Sequence, residues 1–115
     1  MTAVTLSTGK NGVLIKCQAN GHADFSKKGS DIVCSAVTVL LRTAMQVLSQ
    51  SEGVAFNADT SSRGNLAFCV EVTVDKPEAE FCLKYTADFL REGFKTLSKE
   101  YPQNVSFTEV VQAGN

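Results

Sequence analysis

Two long stretches of helical periodicity, bordered by short alternating segments, constrain the fold of this chain more than any other feature. From Asp31 to about Gln50 apolar residues recur at spacings of three and four, which predicts a helix with the stripe Val33, Val37, Leu40, Ala44 and Val47. Ser30 or Asp31 is its expected N-cap. Pro77, tolerated in a first helical turn, opens a second helix to about Glu100 with the stripe Cys82, Tyr85, Phe89, Leu90, Phe94 and Leu97.

The remaining segments alternate in the manner of strands. Residues 2 to 8 and 13 to 20 flank the turn sequence GKNG, which predicts a hairpin whose second strand faces the core with Val13, Ile15, Cys17 and Ala19. Residues 54 to 58 and 66 to 74 predict a second hairpin with the inward residues Leu66, Phe68, Val70, Val72 and Val74. Residues 105 to 111 alternate as a last strand.

The predicted order is therefore ββαββαβ, within a single domain over residues 1–115. A chain of this length has room for one core. Hairpins with only two helices indicate an α+β fold, with a mainly antiparallel or mixed sheet that carries both helices on one face. The other face or an edge of the sheet is then expected to be buried in a dimer.

Charge and hydropathy indicate which partners the protein binds and in which cellular compartment it is found. A net charge of −1 lacks the basic excess that favours nucleic-acid binding, so no direct nucleic-acid partner is predicted. The first residues do not resemble a secretory signal, and no apolar run is expected to span a membrane. We therefore predict a cytoplasmic protein, in which its four cysteines stay reduced.

The single histidine, His22, restricts any chemistry that needs an imidazole. It lies in a predicted loop from Gly21 to Ser30, and Cys34 follows in the expected first helical turn. Unpaired amides and the helix dipole favour a thiolate there, and the same amides can bind the oxyanion of an attacked carbonyl. On the residues alone, a buried structural cysteine is the more frequent explanation of Cys34.

Other candidate residues keep two readings each. Asp31 either caps the helix or orients the His22 ring as the third member of a triad. Phe25 either anchors the loop to the core or meets a substrate, and Lys27 and Lys28 are solvated charges or substrate contacts. The remaining cysteines, Cys17, Cys69 and Cys82, are interpreted as structural. The chain has no close cysteine pair, so neither a metal nor another cofactor is predicted.

The stretch GHADFSKKGSDIVCSAVTVL resembles the signature of the ribosomal-processing cysteine protease family, Prp. The matching residues are Gly21, His22, Ala23, Gly29, Asp31, Ile32, Val33 and Cys34. The resemblance implies that Cys34 is the nucleophile, His22 its base and Asp31 the accompanying acid. Ser35 and Thr38 depart from the Cys-Ala-Ala-Val-Ser of many members, although Thr38 keeps a hydroxyl one turn after Cys34.

The resemblance also implies a substrate and an assembly. Family members remove an N-terminal extension from a protein of the large ribosomal subunit, and they share an α+β fold and commonly form homodimers. The loop from Gly21 to Ser30 is expected to close around this peptide. Two other functions remain open from the sequence: a non-catalytic ribosome-associated binding module, and a redox sensor that uses Cys34 but lacks a nearby resolving cysteine.

Overall fold

Five strands and two helices follow one another in the predicted order ββαββαβ, which is confirmed. The computed structural model describes residues 1–21, 28–60 and 64–112, and within the first helix it describes side chains from Ile32 onward. The elements are β1 (Thr2–Thr8), β2 (Leu14–Asn20), α1 (Lys28–Ser49), β3 (Val54–Asp59), β4 (Asn65–Val72), α2 (Pro77–Glu100) and β5 (Val105–Val111).

The strands form one mixed sheet in the order β3-β4-β2-β1-β5. The pairs β1–β2 and β3–β4 are antiparallel, as the two predicted hairpins require, and β2 and β4 also pair antiparallel. In contrast, β5 runs parallel to β1, with register from Thr2 opposite Val105 to Thr8 opposite Val111. The sheet confirms the prediction of an α+β fold.

Both helices pack on one face of the sheet and share a single core with it. Alternate strand residues such as Val4, Leu6, Cys17 and Phe68 are at most 2% exposed, and they contact the buried faces of the helices. The buried helix residues are Val33, Val37, Leu41, Ala44, Met45 and Leu48 in α1, and Ala79, Leu83, Ala87, Leu90, Phe94 and Leu97 in α2.

Three residues predicted for the helical core stripes are in fact exposed: Val47 by 52%, Tyr85 by 64% and Phe89 by 49%. A spacing of three or four is compatible with two adjacent faces of a helix. The face that packs in α2 includes the small residues Ala79 and Ala87, which permit close approach to the sheet and α1. The aromatic side chains are consequently left on the outer surface.

The strand predictions fail at two places. With Val13 and Ile15 predicted to face the core, alternation places Leu14 on the outer face of β2. Leu14 is nevertheless only 1% exposed, because the register with β1 shifts between Ser7 and Thr8 and skips Ile15. Such a bulge reverses which side chains face the core. Similarly, β4 ends at Val72 and leaves Val72 and Val74 exposed.

The start of α1 also differs from the prediction. The helix begins at Lys28, so Asp31 lies inside it and neither Ser30 nor Asp31 is its N-cap. Capping preference is a weak determinant of where a helix begins, and the residues from Lys28 to Ser30 include no proline that would prevent helix formation. As a result, Cys34 occupies the second helical turn rather than the first.

The expectation that no apolar run is long enough to span a membrane is also corrected. Within the described residues, Ile32–Ser49 of α1 is long and apolar enough by length and composition. Core helices pass the same test, and six side chains of this segment are buried against the sheet and α2. Its apolar character therefore has an explanation in the packing of the fold.

Candidate active site

A cavity of about 290 Å³ opens at one end of the sheet, between the strands and α1. Antiparallel pairing brings the end of β2 beside the start of β4, and the start of β1 lies next to them. The middle part of α1, from Cys34 to Arg42, forms the opposite wall. The described lining residues are Thr2, Ala19, Gly21, Cys34, Val37, Thr38, Arg42, Thr60, Gly64, Asn65 and Leu66.

Backbone contacts fix the strand ends that form the sheet side of the cavity. The amide of Gly21 donates a hydrogen bond of 2.9 Å to the carbonyl of Gly64. The side-chain amide of Gln18 in β2 donates a hydrogen bond of 3.3 Å to Asn65 Oδ1 in β4, in addition to the backbone pairing of these strands. Gly21 has φ +98°, and a Cβ there would overlap the carbonyl oxygen of Met1, so the position requires glycine.

Cys34 is distinguished from the other cysteines by its place on the cavity wall. All four cysteines are described, and none forms a disulfide. Cys17 is fully buried, and desolvation raises the pKa of its thiol to about 12, so it remains protonated near neutral pH. Cys69 is exposed on the open face of the sheet, and Cys82 Sγ lies 3.4 Å from Ser51 Oγ. Only Cys34, which is half-buried, borders the cavity.

The position of Cys34 in α1 changes the expected electrostatics. It is the seventh residue of the helix, beyond the first turn whose amides lack intrahelical partners. The amide of Cys34 is therefore engaged within the helix and does not offer the oxyanion donor that the sequence predicted. The helix dipole weakens beyond the first turn, so it favours a thiolate here less than the prediction required.

The predicted site residues divide into three groups. Cys34, Thr38 and Gly21 meet at the cavity. Lys28, Gly29 and Asp31 lie in the first residues of α1, and only their backbone is described. His22, Ala23, Phe25 and Lys27 lie outside the described residues, so the loop and the Cys34–His22 pair remain predictions. In the sequence, His22 follows Gly21 directly.

Several lining residues had no place in the sequence-based site. Gly64 lines the cavity, and its carbonyl accepts the hydrogen bond from the Gly21 amide. Thr2 and Asn65 reach the cavity through sheet topology, which left no local signal in the sequence. Arg42 was detectable, because it follows Cys34 by eight residues and Thr38 by four on one helix.

No metal centre is evident among the side chains that the structure describes. Within these ranges, no three His, Cys, Asp or Glu residues converge in a way that could hold an ion.

Solved structures with the same fold come from two bacteria. The chain superimposes on a crystal structure of SMU.848 from Streptococcus mutans with a TM-score of 0.74 at 22% identity, over 97% of this chain and 96% of that one. The TM-score is 0.71 with the crystal structure of a ribosomal processing protease Prp from S. aureus in complex with a covalently linked product peptide. The identity is 21%, and the match covers 95% of this chain and 99% of that one. The same protease with a substrate peptide gives 0.69 at 20% identity, with the same coverage. At these identities the likeness establishes the fold.

Sequence comparison establishes the class. Residues 1–106 match a family model described as cysteine protease Prp, so the protein is a cysteine protease. The ribosomal processing cysteine protease Prp of Mycoplasma pneumoniae is 30% identical over 94 residues, which are 82% of this chain and 86% of that protein. The chain belongs to the Prp family of cysteine proteases. Membership contradicts the alternatives of a binding module and a redox sensor as the primary function.

Proposed function

We propose that the protein is an endopeptidase that removes the N-terminal extension of a large-subunit ribosomal protein in the cytoplasm. The observation that carries the proposal is the position of Cys34, which alone among the cysteines borders a cavity whose wall includes Gly21, the residue before His22. The substrate class is supported by the name of the Mycoplasma relative and by the peptides bound to the S. aureus protease.

The proposed reaction begins when His22 accepts the proton of Cys34 Sγ and the thiolate attacks the scissile carbonyl carbon. The tetrahedral intermediate collapses as the C–N bond breaks, and His22 returns the proton to the departing amine. This step leaves a thioester between Cys34 and the extension. Water, deprotonated by His22, then hydrolyses the thioester, which releases the extension as a carboxylic acid and restores the thiol.

Supporting roles are proposed for two residues of α1. Asp31 precedes Cys34 by three helix positions, a spacing that places two positions on one side of a helix. Because Asp31 is not the N-cap, the role we assign to it is orientation of the His22 ring. Thr38 follows Cys34 by one turn on the cavity wall, where we assign its hydroxyl a hydrogen bond to the bound peptide.

The substrate loop is proposed to comprise Gly21, Ala23, Phe25, Lys27, Lys28 and Gly29. Gly21 follows β2 at the cavity, and α1, which forms the opposite wall, begins at Lys28. A segment that joins two cavity walls is suited to contact an extended peptide bound between them. Phe25, the aromatic residue of this segment, is assigned a contact with an apolar side chain of the peptide.

A homodimer is proposed from the family resemblance, and the surface suggests which face it uses. The open sheet face presents polar side chains, including exposed Lys16 and Thr108. In contrast, exposed Phe81, Tyr85 and Phe89 follow one another along the outer side of α2. We therefore assign the contact with a second copy to this outer side of α2, rather than to the open sheet face or a sheet edge, which the sequence led us to expect.

The test is cleavage of a peptide that spans the N-terminal extension of the ribosomal protein from the same organism. Wild type, Cys34→Ala, His22→Ala and the control Cys69→Ala are compared by mass spectrometry. We expect one cleaved bond with wild type and Cys69→Ala, and no cleavage with the other two. Cleavage by Cys34→Ala at the wild-type rate would reject the assigned nucleophile, and failure of wild type to cut would reject the assigned substrate.

A further inference from the structure

Arg42 brings a positive charge to the wall of the cavity that contains Cys34. Every other described lining residue is uncharged. The Arg42 side chain is exposed, and within the described ranges it makes no salt bridge of 4 Å or less. Its charge is therefore available to a molecule that enters the cavity.

Arg91, the other arginine that the structure describes, provides a contrast. Its guanidinium contacts Glu109 and Asp88 and holds α2 against β5. That arrangement accounts for Arg91 by its structural role. Among the residues that the structure describes, no comparable contact explains the placement of Arg42 on α1, whose other exposed residues from Ile32 to Ser49 carry no charge.

Helix geometry places Arg42 at a defined distance from the nucleophile. Cys34, Thr38 and Arg42 succeed one another at intervals of one helical turn along the cavity wall. Eight residues of α-helix correspond to about 12 Å along the axis. An extended peptide advances about 3.3 Å per residue, so this distance corresponds to three or four peptide residues.

We propose that Arg42 is a specificity-determining residue that binds an acidic side chain of the peptide substrate, three or four residues from the scissile bond. A guanidinium suits this role because its planar donors match the two oxygens of a carboxylate. The proposal rests on the proposed function, since it takes Cys34 as the site of attack. It adds a charge preference that neither the family match nor the proposed reaction contains.

The first experiment measures kcat/KM for peptides that carry Asp, Asn or Lys at each position three or four residues to either side of the cleaved bond. At one position we expect wild type to prefer Asp over Lys by about tenfold or more, as for a charge-assisted hydrogen bond. Arg42→Gln should bring this ratio near one, and Arg42→Glu should invert it. Arg42→Lys should retain the direction of the preference with a smaller ratio.

Lys16→Gln is the matched control, because it removes an exposed positive charge from the open sheet face, away from the cavity. It should keep the wild-type ratio. An unchanged Asp-to-Lys ratio in Arg42→Gln, or a wild type with no charge preference at any of these positions, would overturn the proposal.

A second experiment tests the role of Arg42 in binding independently of the proposed role of Cys34 in cleavage. The same peptides are titrated into Cys34→Ala and into Cys34→Ala combined with Arg42→Gln, with fluorescence anisotropy as the readout. A preference for Asp that the second substitution removes supports the role of Arg42, whether or not wild type cleaves the peptide. Equal affinities of the two variants for the Asp peptide would reject the role of Arg42 and leave the assignment of Cys34 unaffected.

Discussion

Gly21 combines two requirements in one residue. It follows β2 directly, has a positive φ of 98°, and its amide donates to the Gly64 carbonyl at the cavity wall. A side chain at this position would meet the backbone oxygen of Met1, which cannot move as a flexible side chain can. The residue therefore sets the direction in which the chain leaves β2 toward His22.

Substitution Gly21→Ala is expected to lower both stability and activity. The positive φ and the overlap with the Met1 carbonyl together should reduce the free energy of unfolding by about 3 kcal/mol. Displacement of the following residue by even about 1 Å should lower kcat/KM about 100-fold. Urea unfolding and peptide cleavage measure the two effects.

Gly12→Ala is the control for the backbone conformation alone. Gly12 has φ +78°, but among the described residues a Cβ there would contact only Lys84 Nζ, at an ordinary distance of 3.7 Å. We expect a cost of about 1 kcal/mol and unchanged activity. Equal losses of stability in the two variants would contradict the assigned overlap with Met1.

The proposed nucleophile could be chosen from the sequence, whereas most of the residues that line the cavity around it could not. Cys34 could be selected from the sequence because it follows the only histidine and carries the family signature. Gly64 and Thr2 could not, because they reach the cavity through strand pairing with residues far away in the chain. Arg42 shares a helix with Cys34, but its approach to the cavity depends on which face of α1 packs against the sheet.

At the scale of elements, Arg91 connects α2 to β5. Its Nε and second terminal nitrogen donate to the two carboxylate oxygens of Glu109, both at 2.8 Å. Thr8 of β1 donates to the same carboxylate at 3.4 Å. The hydrogen bonds from Arg91, the largest cause, hold the pKa of Glu109 below its ordinary value of 4.5. The carboxylate of Glu109 thereby joins Arg91 of α2 to Thr8 of β1.

A double-mutant cycle with Arg91→Met and Glu109→Gln is expected to give a coupling of about 2 kcal/mol at pH 7. Because the folded-state pKa of Glu109 is lowered, the stabilisation is present above about pH 4.5. It is lost as the pH falls through the folded-state pKa. The stability difference between wild type and Glu109→Gln should therefore shrink in acid, as measured by urea unfolding between pH 3 and 7.

The pair of Lys84 and Asp88 is the comparison for this cycle. Its atoms lie 3.8 Å apart, and both side chains are more than 40% exposed. Its coupling should not exceed about 0.5 kcal/mol. A coupling of that size for Arg91 and Glu109 would show that their pair does not hold α2 in place.

Element type and order followed from periodicity, whereas details of the faces and ends did not. Residues 105 to 111 were predicted correctly as β5, and Pro77 as the start of α2. Tyr85 and Phe89 are predicted for the core of α2 but are exposed, because helical spacing alone does not distinguish adjacent faces. The bulge opposite Ser7 and Thr8 turns the side chain of Leu14 toward the core. The sequence of β2 alone did not predict it, because strand register depends on the partner strand.

For the whole molecule, the two surfaces of the sheet differ in character. Both helices cover one surface and carry exposed apolar side chains on their outer sides, while the open surface is largely polar. Burial of aromatic area is the main source of stability in many homodimer interfaces. This contrast supports the assignment of the dimer contact to the outer side of α2.

Phe89→Lys is expected to weaken the proposed dimer, because it places a charge among the exposed aromatic residues of α2. Phe89 is 49% exposed, so the fold should tolerate the change. Sedimentation velocity should give twice the 12.3 kDa mass of one chain for wild type and a single-chain mass for the variant.

Thr108→Lys adds the same charge to the open face of β5 and should remain dimeric. Dissociation by Thr108→Lys alone would place the contact on the open sheet face. A single-chain mass for wild type would reject the dimer.

The parallel pairing of β5 with β1 also has a consequence for biosynthesis. Translation delivers Thr2 first and Val111 more than a hundred residues later, yet these strands lie side by side across their whole length. Until β5 emerges from the ribosomal tunnel, the nascent polypeptide has an unpaired β1 edge next to the cavity that Thr2 helps to line. The sheet of the protease therefore stays incomplete until a strand that follows β1 by about a hundred residues has been synthesised.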